Sequence, residues 1–126
     1  MLSSLGLWKL GAAFTASGIT AGAFGAHALS KRLGDKGSQT WGTAAHYLIA
    51  NGVALLAISQ HPKFGNVSNT TRGLPRYAGA LIGTGAVLFS GSIFLLLLDR
   101  ARFRFLGPVT PLGGLCMITG YVALLL

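Results

Sequence analysis

Long uncharged stretches alternate with short charged segments along this sequence. Four stretches hold no Lys, Arg, Asp or Glu, and they contain 21, 26, 22 and 22 residues: Leu10–Ser30, Gly37–Pro62, Tyr77–Leu98 and Phe105–Leu126. A helix needs about 20 mainly apolar residues to cross a hydrocarbon core about 30 Å thick. Each stretch reaches that length, so the pattern predicts four transmembrane helices.

The charged segments and helix breakers place the ends of these helices. We predict spans over 8–29, 40–59, 77–98 and 105–126, joined by loops over 30–39, 60–76 and 99–104. Gly34 and Gly37 break the helix in the first loop. Pro62 ends the second span, because it biases the preceding residue away from helical geometry. The predicted fold is an all-α integral membrane protein, a single domain over 1–126, built as a four-helix bundle with both termini on one side.

The last span begins with residues that disturb a regular helix. Pro108 and Pro111 lie in its first turns, where a missing N–H donor costs little, and Gly113 and Gly114 follow at once. We therefore expect the start of this helix to be bent or partly non-helical and to be covered by protein.

Composition strengthens the membrane prediction. Only 10% of the residues are charged, there is no Glu, and the mean hydropathy is +0.62, whereas soluble domains carry about 25% charged residues. Tyr77–Leu98 lacks the polar face of a soluble amphipathic helix and is too long for a strand. The apolar run after Lys9 has the outline of a secretory signal, but we interpret it as a retained span. Cys116, the single cysteine, cannot form an internal disulfide.

The distribution of Lys and Arg favours one orientation. Four of them flank the terminal side and six flank the opposite side. Because positive loops remain on the cytoplasmic side, the two tight loops are expected to face the cytoplasm or the matrix. The triplet Asn69-Thr70-Thr71 in the longest loop matches the N-glycosylation pattern, which requires lumenal exposure.

Small residues recur at helical spacing within the predicted spans. The positions singled out for helix packing are Gly18, Gly22, Gly25, Gly79 and Gly83. Since lipid is as apolar as leucine, membrane helices associate through close packing and interhelical hydrogen bonds. These glycines favour tight packing inside a small bundle, and an interface with another subunit is the alternative.

Four intramembrane polar residues are the candidates for a site: His27, His46, Tyr47 and Asn51. Tyr47 and Asn51 are four residues apart and share a helix face, which we expect to point into the bundle while the more apolar remainder of the helix meets lipid. They either act as buried hydrogen-bond partners between helices or line a small site for a lipid headgroup, a quinone or a partner residue.

The basic residues flank the spans and do not form one patch, which excludes nucleic acid as the natural partner. Anionic lipid headgroups fit better, with cardiolipin and phosphatidylglycerol as candidates. The candidate lipid contacts are Lys31, Arg32, Lys36, Arg100, Arg102 and Arg104. The alternative is ordinary anchoring at the membrane interface.

The sequence gives no support for an enzyme. The His, Cys and Asp residues lack metal-ligand spacing, no serine has a nucleophile elbow, and no glycine-rich loop follows a strand. No charge lies in the middle of a span, which also argues against an ion-coupled pump. We therefore expect no catalytic residues, no metal and no cofactor.

Several motifs resemble a known family. Gly22–Leu29 (GAFGAHAL), Gly85–Ser92 (GAVLFSGS) and Val109–Gly114 (VTPLGG), followed by Gly120, resemble the transmembrane protein 256 group, related to bacterial YgdD-like proteins and classed as domain of unknown function 423. The order and spacing cover nearly the whole chain. Where the family has a His four residues after an aromatic in the second span, this sequence has Asn51 after Tyr47. The resemblance implies a small four-helix protein of bacterial inner membranes and mitochondria, without an implied catalytic mechanism.

Two functions fit these observations. The first is a non-enzymatic accessory, structural or assembly subunit of a larger membrane complex, which in mitochondria would be a respiratory complex of the inner membrane. The alternative is a protein of the inner membrane that binds a lipid or a small apolar ligand, or a minor transporter. Membrane lipids and other membrane subunits are the expected partners.

Overall fold

The computed structural model describes residues 3–65 and 73–126, and these residues are helical with no β-strand. The helices are α1 (Ser4–His27), α2 (Ser30–Ser59), α3 (Ala78–Leu98), the single-turn α4 (Arg100–Phe103) and α5 (Val109–Ala123). Short 3-10 turns occupy Leu74–Tyr77 and Arg104–Leu106. The predicted all-α class is therefore confirmed for the described part of the chain.

Two or three segments of the described chain are long and apolar enough to cross a membrane. Ser30–Ser59 and Leu74–Leu98 each qualify alone, with mean hydropathies of 1.3 and 2.2. Arg100–Leu106 and Val109–Ala123 qualify together as one bent span. Helix α1 has 24 residues but is not among the candidates.

The first predicted loop, 30–39, is wrong, because α2 begins at Ser30. Only Gly34 leaves the helical conformation, with φ 70° and ψ 179°, and L side chains rarely adopt such a positive φ. Gly37 remains inside the helix. The glycine therefore kinks the helix without ending it, and only Ala28 and Leu29 separate α1 from α2.

The other predicted loops also differ from the structure. The segment 99–104 is mostly helical, because the Asp99 side chain accepts a hydrogen bond from the Arg102 N–H at 3.2 Å and so caps α4. Within 60–76, the described residues form a turn near His61 and part of the 3-10 turn. Residues 66–72, with the Asn69-Thr70-Thr71 triplet, lie outside the described residues.

The chain bends where the last predicted span begins. The axes of Arg100–Leu106 and Val109–Ala123 differ by 44°. Pro108 lies at this break as the N-cap of α5, and Pro111 occupies its first turn. The expectation of a bent or partly non-helical start is confirmed.

Two antiparallel helix pairs make up the bundle. Helix α1 packs on α2, α3 packs on α5, and the contact between α2 and α3 joins the two pairs. Leu55 and Ile82 are fully buried. The cluster of buried apolar side chains consists of Leu7, Phe14, Leu48, Leu55, Ile58, Phe64, Ala78, Ile82, Ala86, Met117 and Ala123.

Contacts at one end of the bundle bring the chain's first and last helices to the same place. The Ser4 hydroxyl donates to the Ser59 carbonyl at 2.8 Å. The Lys63 ammonium donates to the Leu126 carbonyl at 2.8 Å. At the other end, the Arg32 guanidinium donates to the Leu98 carbonyl at 2.7 Å.

Candidate functional site

Asn51 is a buried amide through which α2 meets α5. It is 5% exposed, and its Oδ1 accepts a hydrogen bond of 2.6 Å from the Tyr121 hydroxyl. Its Nδ2 donates to the Tyr47 carbonyl at 2.7 Å and lies 3.3 Å from the Met117 sulfur. Since a buried amide without partners is costly, these contacts make Asn51 a link between helices.

Tyr47 lies beside Asn51 at the edge of the bundle and is 46% exposed. Its ring stacks on Phe89 of α3, with 4.8 Å between the ring centroids. A cavity of about 440 Å³ opens next to this stack, and both rings line it together with Asn51 and Tyr121. Such a largely apolar recess with a few polar groups suits a small apolar ligand.

His46 is exposed and faces away from Asn51, so α2 does not simply turn its polar face inward. Gln39, Thr43 and His46 are all exposed, and their spacings of four and three residues place them in one row along the helix. We call this row the polar stripe of α2. The exposed remainder of α2 is therefore not uniformly apolar, because this side of the helix carries the polar stripe.

A groove runs beside the polar stripe between α1 and α2. It encloses about 700 Å³ and is lined by Gly18 and Gly22 on α1 and by Gln39 and His46 on α2. The small glycines keep the α1 side shallow, while the stripe supplies hydrogen-bonding groups along the other side. The groove could therefore receive side chains from a neighbouring helix.

His27 lies apart from the other three polar candidates. It is the last residue of α1, and its side chain is exposed at the end of the helix. The structure therefore brings Tyr47 and Asn51 together, turns His46 outward and leaves His27 at the helix terminus.

The candidate lipid contacts divide into several environments. Arg32 is used within the protein as a donor to the end of α3. The Arg102 guanidinium lies 5.7 Å from the centre of the Phe103 ring, and Lys31 and Arg104 are exposed. The two remaining cations, Lys36 and Arg100, line a common groove of about 420 Å³ between α2 and the end of α3.

Trp41 joins three helices. It is 6% exposed, and its indole N–H donates to the Ala21 carbonyl of α1 at 2.7 Å. Its ring lies 4.5 Å from that of Phe94 on α3, centroid to centroid. A Cβ added at Gly25 would collide with the indole, so glycine at this position makes room for Trp41.

Serine hydroxyls tie α3 to its neighbours. Ser90 is fully buried and donates to the Ala44 carbonyl of α2 at 2.8 Å. The Ser92 hydroxyl donates to the Phe89 carbonyl at 3.0 Å and is also hydrogen bonded to the Thr110 hydroxyl. These bonds satisfy polar groups inside the bundle, as a membrane environment requires.

The glycines singled out for packing occupy different contacts. Gly18 lies against α2, where an added Cβ would come 2.6 Å from the Ile49 side chain, while Gly22 has more room, with Ala45 at 3.7 Å. Gly79 and Gly83 of α3 face side chains near the start of α1, and added Cβ atoms would lie 2.7 Å and 3.1 Å from the side chains of Leu7 and Leu10.

Comparison with known proteins decides the family. Residues 21–114 match a family described as "Protein of unknown function (DUF423)", and this stretch is well over half of the chain. The chain belongs to the DUF423 family. The resemblance drawn from its sequence motifs is thereby confirmed.

Relatives of this DUF423 chain extend over nearly its whole length. A UPF0382 membrane protein of Schizosaccharomyces pombe is 38% identical over 123 residues, which cover 94% of this chain and 98% of the relative. One of Staphylococcus haemolyticus is 39% identical, covering 93% and 89%. YwdK of Bacillus subtilis is 33% identical, covering 90% and 87%. No solved structure matches the chain. With its apolar helices and relatives named as membrane proteins, this DUF423 chain is an integral membrane protein.

Tyr121 and Trp41 are the residues of this DUF423 protein that the sequence reasoning missed. Both are aromatic side chains with one polar atom, placed within predicted apolar spans. Such side chains usually find a hydrogen-bond partner when buried, and that property was the available signal. Because both partners are far away in the sequence, helical spacing alone could not identify them.

Proposed function

We propose that this protein is a non-enzymatic accessory or assembly subunit that docks on a larger membrane complex through the polar stripe of α2. The single observation that carries the proposal is the exposure of Gln39, Thr43 and His46 on a candidate membrane span. Polar side chains that face lipid are costly, so a protein surface is the natural covering for this stripe.

The depth of His46 makes lipid an unfavourable neighbour. It lies six residues inside the span predicted over 40–59, which corresponds to about 9 Å along a helix with a rise of 1.5 Å per residue. In a hydrocarbon core about 30 Å thick, that position is well inside the apolar region. The Thr43 hydroxyl is satisfied by the Gln39 carbonyl at 3.1 Å, whereas the His46 imidazole is exposed.

The groove beside the stripe supports a helix as the docking partner. Its α1 side carries Gly22, Ala23 and Ala26, all small residues, and is therefore shallow enough for close approach of a second helix. The partner would offer a hydrogen-bonding side chain to the imidazole of His46. A transmembrane helix of another subunit combines both properties.

The proposed topology has four spans, because α1 is added to the three candidate spans described above. Its 24 residues would extend about 36 Å along a regular helix, which is enough to cross a bilayer core. It is packed along α2 from Gly11, whose neighbour is Gly52, to Gly25, whose neighbour is Trp41. The contacts of Ser4 and Lys63 described above support both termini on one side.

The proposed location is the mitochondrial inner membrane, with a respiratory complex as the candidate partner, or the bacterial inner membrane if the chain is prokaryotic. The proposed location is supported by the occurrence of similar chains in a yeast and in several bacteria, since the mitochondrial inner membrane is of bacterial ancestry. The non-enzymatic role is part of the proposal. It is supported by hydroxyls such as Ser90 and Thr110 that are engaged in hydrogen bonds between helices.

Native gel electrophoresis in a mild detergent tests the docking role. The wild-type chain should migrate in a larger assembly, and a Gln39→Leu/His46→Leu double variant should migrate at its own small size. Ile118→Ala, at an exposed apolar position of α5, should leave the assembly intact and serves as the control.

Two outcomes would contradict docking. One is a wild-type chain that migrates only at its own size. The other is an assembly in which differently tagged copies of this chain recover each other and no other subunit, because the stripe would then serve self-association.

The cavity beside Tyr47 and Phe89 favours a second candidate function, binding of a lipid or small apolar ligand, with minor transport as its extension. Lipid analysis of purified protein tests it. A specific small apolar compound should copurify with the wild type, and Ala50→Phe, which fills the lining of the cavity, should abolish its recovery. Recovery of only the bulk lipid composition from the wild type would eliminate this candidate.

A further inference from the structure

We propose that Lys36 and Arg100 form a binding site for the phosphate of one anionic phospholipid, with an acyl chain lying on Ile93, Leu96 and Leu97. These five residues line one groove of about 420 Å³ between the beginning of α2 and the end of α3. This site lies at the N-terminal end of α2 and does not depend on the docking role of the polar stripe.

The local fold creates this groove from the Gly34 kink onward. Arg32 donates to the Leu98 carbonyl at 2.7 Å and holds the start of α2 against the end of α3. Gly37, one turn further along, has no side chain, and a Cβ there would already lie 3.9 Å from Leu97. The helices therefore approach each other at this end, and Lys36 and Arg100 lie on opposite sides of the gap.

The chemistry of the groove matches a phospholipid better than a free anion. Both cations are exposed, while Ile93, Leu96 and Leu97 are half-buried and form the apolar wall beside them. Basic pockets between membrane helices bind anionic headgroups, and each nearby Lys or Arg strengthens that attraction. A free phosphate would use the cations alone and would make no contact with the apolar wall.

The four other basic residues at this end do not share the arrangement. Arg32 is engaged with a helix carbonyl, and Arg102 lies over its neighbouring phenyl ring. Lys31 and Arg104 are exposed outside the groove. The geometry thus narrows six candidate lipid contacts to two that act together.

The volume of the groove is adequate for part of a lipid. At about 420 Å³, it lies within the range of about 300–1,000 Å³ usual for small-molecule pockets. A headgroup phosphate between the cations would leave the remaining space along the leucines for the first part of an acyl chain. The site would therefore favour a ligand that carries both a negative charge and an apolar chain.

Titration of phosphatidylglycerol into nanodiscs of phosphatidylcholine, read by native mass spectrometry, tests the site. The wild type should retain one phosphatidylglycerol in preference to phosphatidylcholine. Lys36→Gln/Arg100→Gln should weaken that preference by roughly thirtyfold, given about fivefold per cation. Lys31→Gln/Arg104→Gln removes the same charge outside the groove and should retain most of the preference.

A second pair of variants tests the apolar wall. Leu96→Ala should weaken phosphatidylglycerol retention several-fold, whereas Leu95→Ala, at the exposed neighbouring position outside the groove, should not. Melting temperatures in phosphatidylcholine alone should be similar for all variants, which separates loss of binding from loss of folding.

Three results would overturn the proposal. The two double variants could lose the preference equally, which would reduce it to general surface charge. Inorganic phosphate could displace the lipid or bind equally well, which would point to a free-anion site. The wild type could also show no preference between the two lipids.

Discussion

The Tyr121 hydroxyl donates a hydrogen bond of 2.6 Å to the Oδ1 atom of Asn51, across 70 positions of sequence. The pair connects α5 with α2, although the main packing of α5 is against α3. In a bilayer the helices lack a hydrophobic force that draws them together, so such a bond contributes to the specific arrangement of the bundle.

Tyr121→Phe should destabilise the folded protein by about 0.5–1.5 kcal/mol, because the buried Asn51 oxygen loses its donor while the ring volume is kept. The measurement is the unfolding midpoint in mixed micelles of a mild detergent and SDS. Tyr47→Phe is the matched control, since Tyr47 contributes its ring stack and its main-chain carbonyl to these contacts. Equal losses in both variants would contradict the assigned role of the Tyr121 hydroxyl.

Gly113→Ala should separate α3 from α5 and destabilise the bundle by about 1–3 kcal/mol, the usual cost of overpacking. An added Cβ at Gly113 would lie 2.5 Å from the Phe89 nitrogen and 2.9 Å from the Gly85 carbonyl oxygen. Gly114→Ala provides a neighbouring control, because its Cβ would lie 3.9 Å from the nearest atom, on the Phe89 ring. The unfolding midpoint of Gly113→Ala should be well below that of Gly114→Ala, and the reverse order would refute the close contact.

Trp41→Phe should cost about 1–2 kcal/mol, because it removes the indole N–H that binds the Ala21 carbonyl and leaves unfilled volume between three helices. Trp8→Phe, at a position 46% exposed, should change the unfolding midpoint little. If the two substitutions proved equally mild, Trp41 would not link the helices as described.

Cysteine labelling in sealed membrane vesicles should reveal the proposed topology. In a Cys116→Ser background, Ser3→Cys and Gln60→Cys should react with a membrane-impermeant maleimide from the same side. Lys31→Cys and Arg102→Cys should react only from the other side. Labelling of Ser3→Cys and Lys31→Cys from one side would show that α1 does not cross the membrane.

The periodic features of the sequence were sufficient for some parts of this fold. The uncharged run of Tyr77–Leu98 corresponds to α3 from Ala78 onward, since nothing in it interrupts the backbone, and Tyr77 ends the preceding 3-10 turn. The bend near Pro108 was also predictable, because proline restricts the backbone wherever it occurs. Gly34 was misread because a glycine can either end a helix or kink it, and only the following backbone determines which.

The candidate site was less accessible to sequence reasoning. Helical spacing correctly separates His46 from Asn51, but it does not specify which of them faces the protein. That choice depends on the position of α1, α3 and α5 around α2. The structure places Asn51 toward Tyr121 and leaves His46 exposed, and the proposed docking role rests on that exposure.

The contact between Gly85 and Gly113 also constrains how this protein can change over generations. A Cβ at Gly85 would lie 2.7 Å from the Gly113 carbonyl oxygen, and one at Gly113 would lie 2.9 Å from the Gly85 carbonyl oxygen. A clash with a side chain can be relieved by a second mutation to a smaller residue, but the two carbonyl oxygens at this contact belong to the backbone. A larger residue at either position therefore cannot be compensated by a substitution at the other, and both positions are expected to remain glycine.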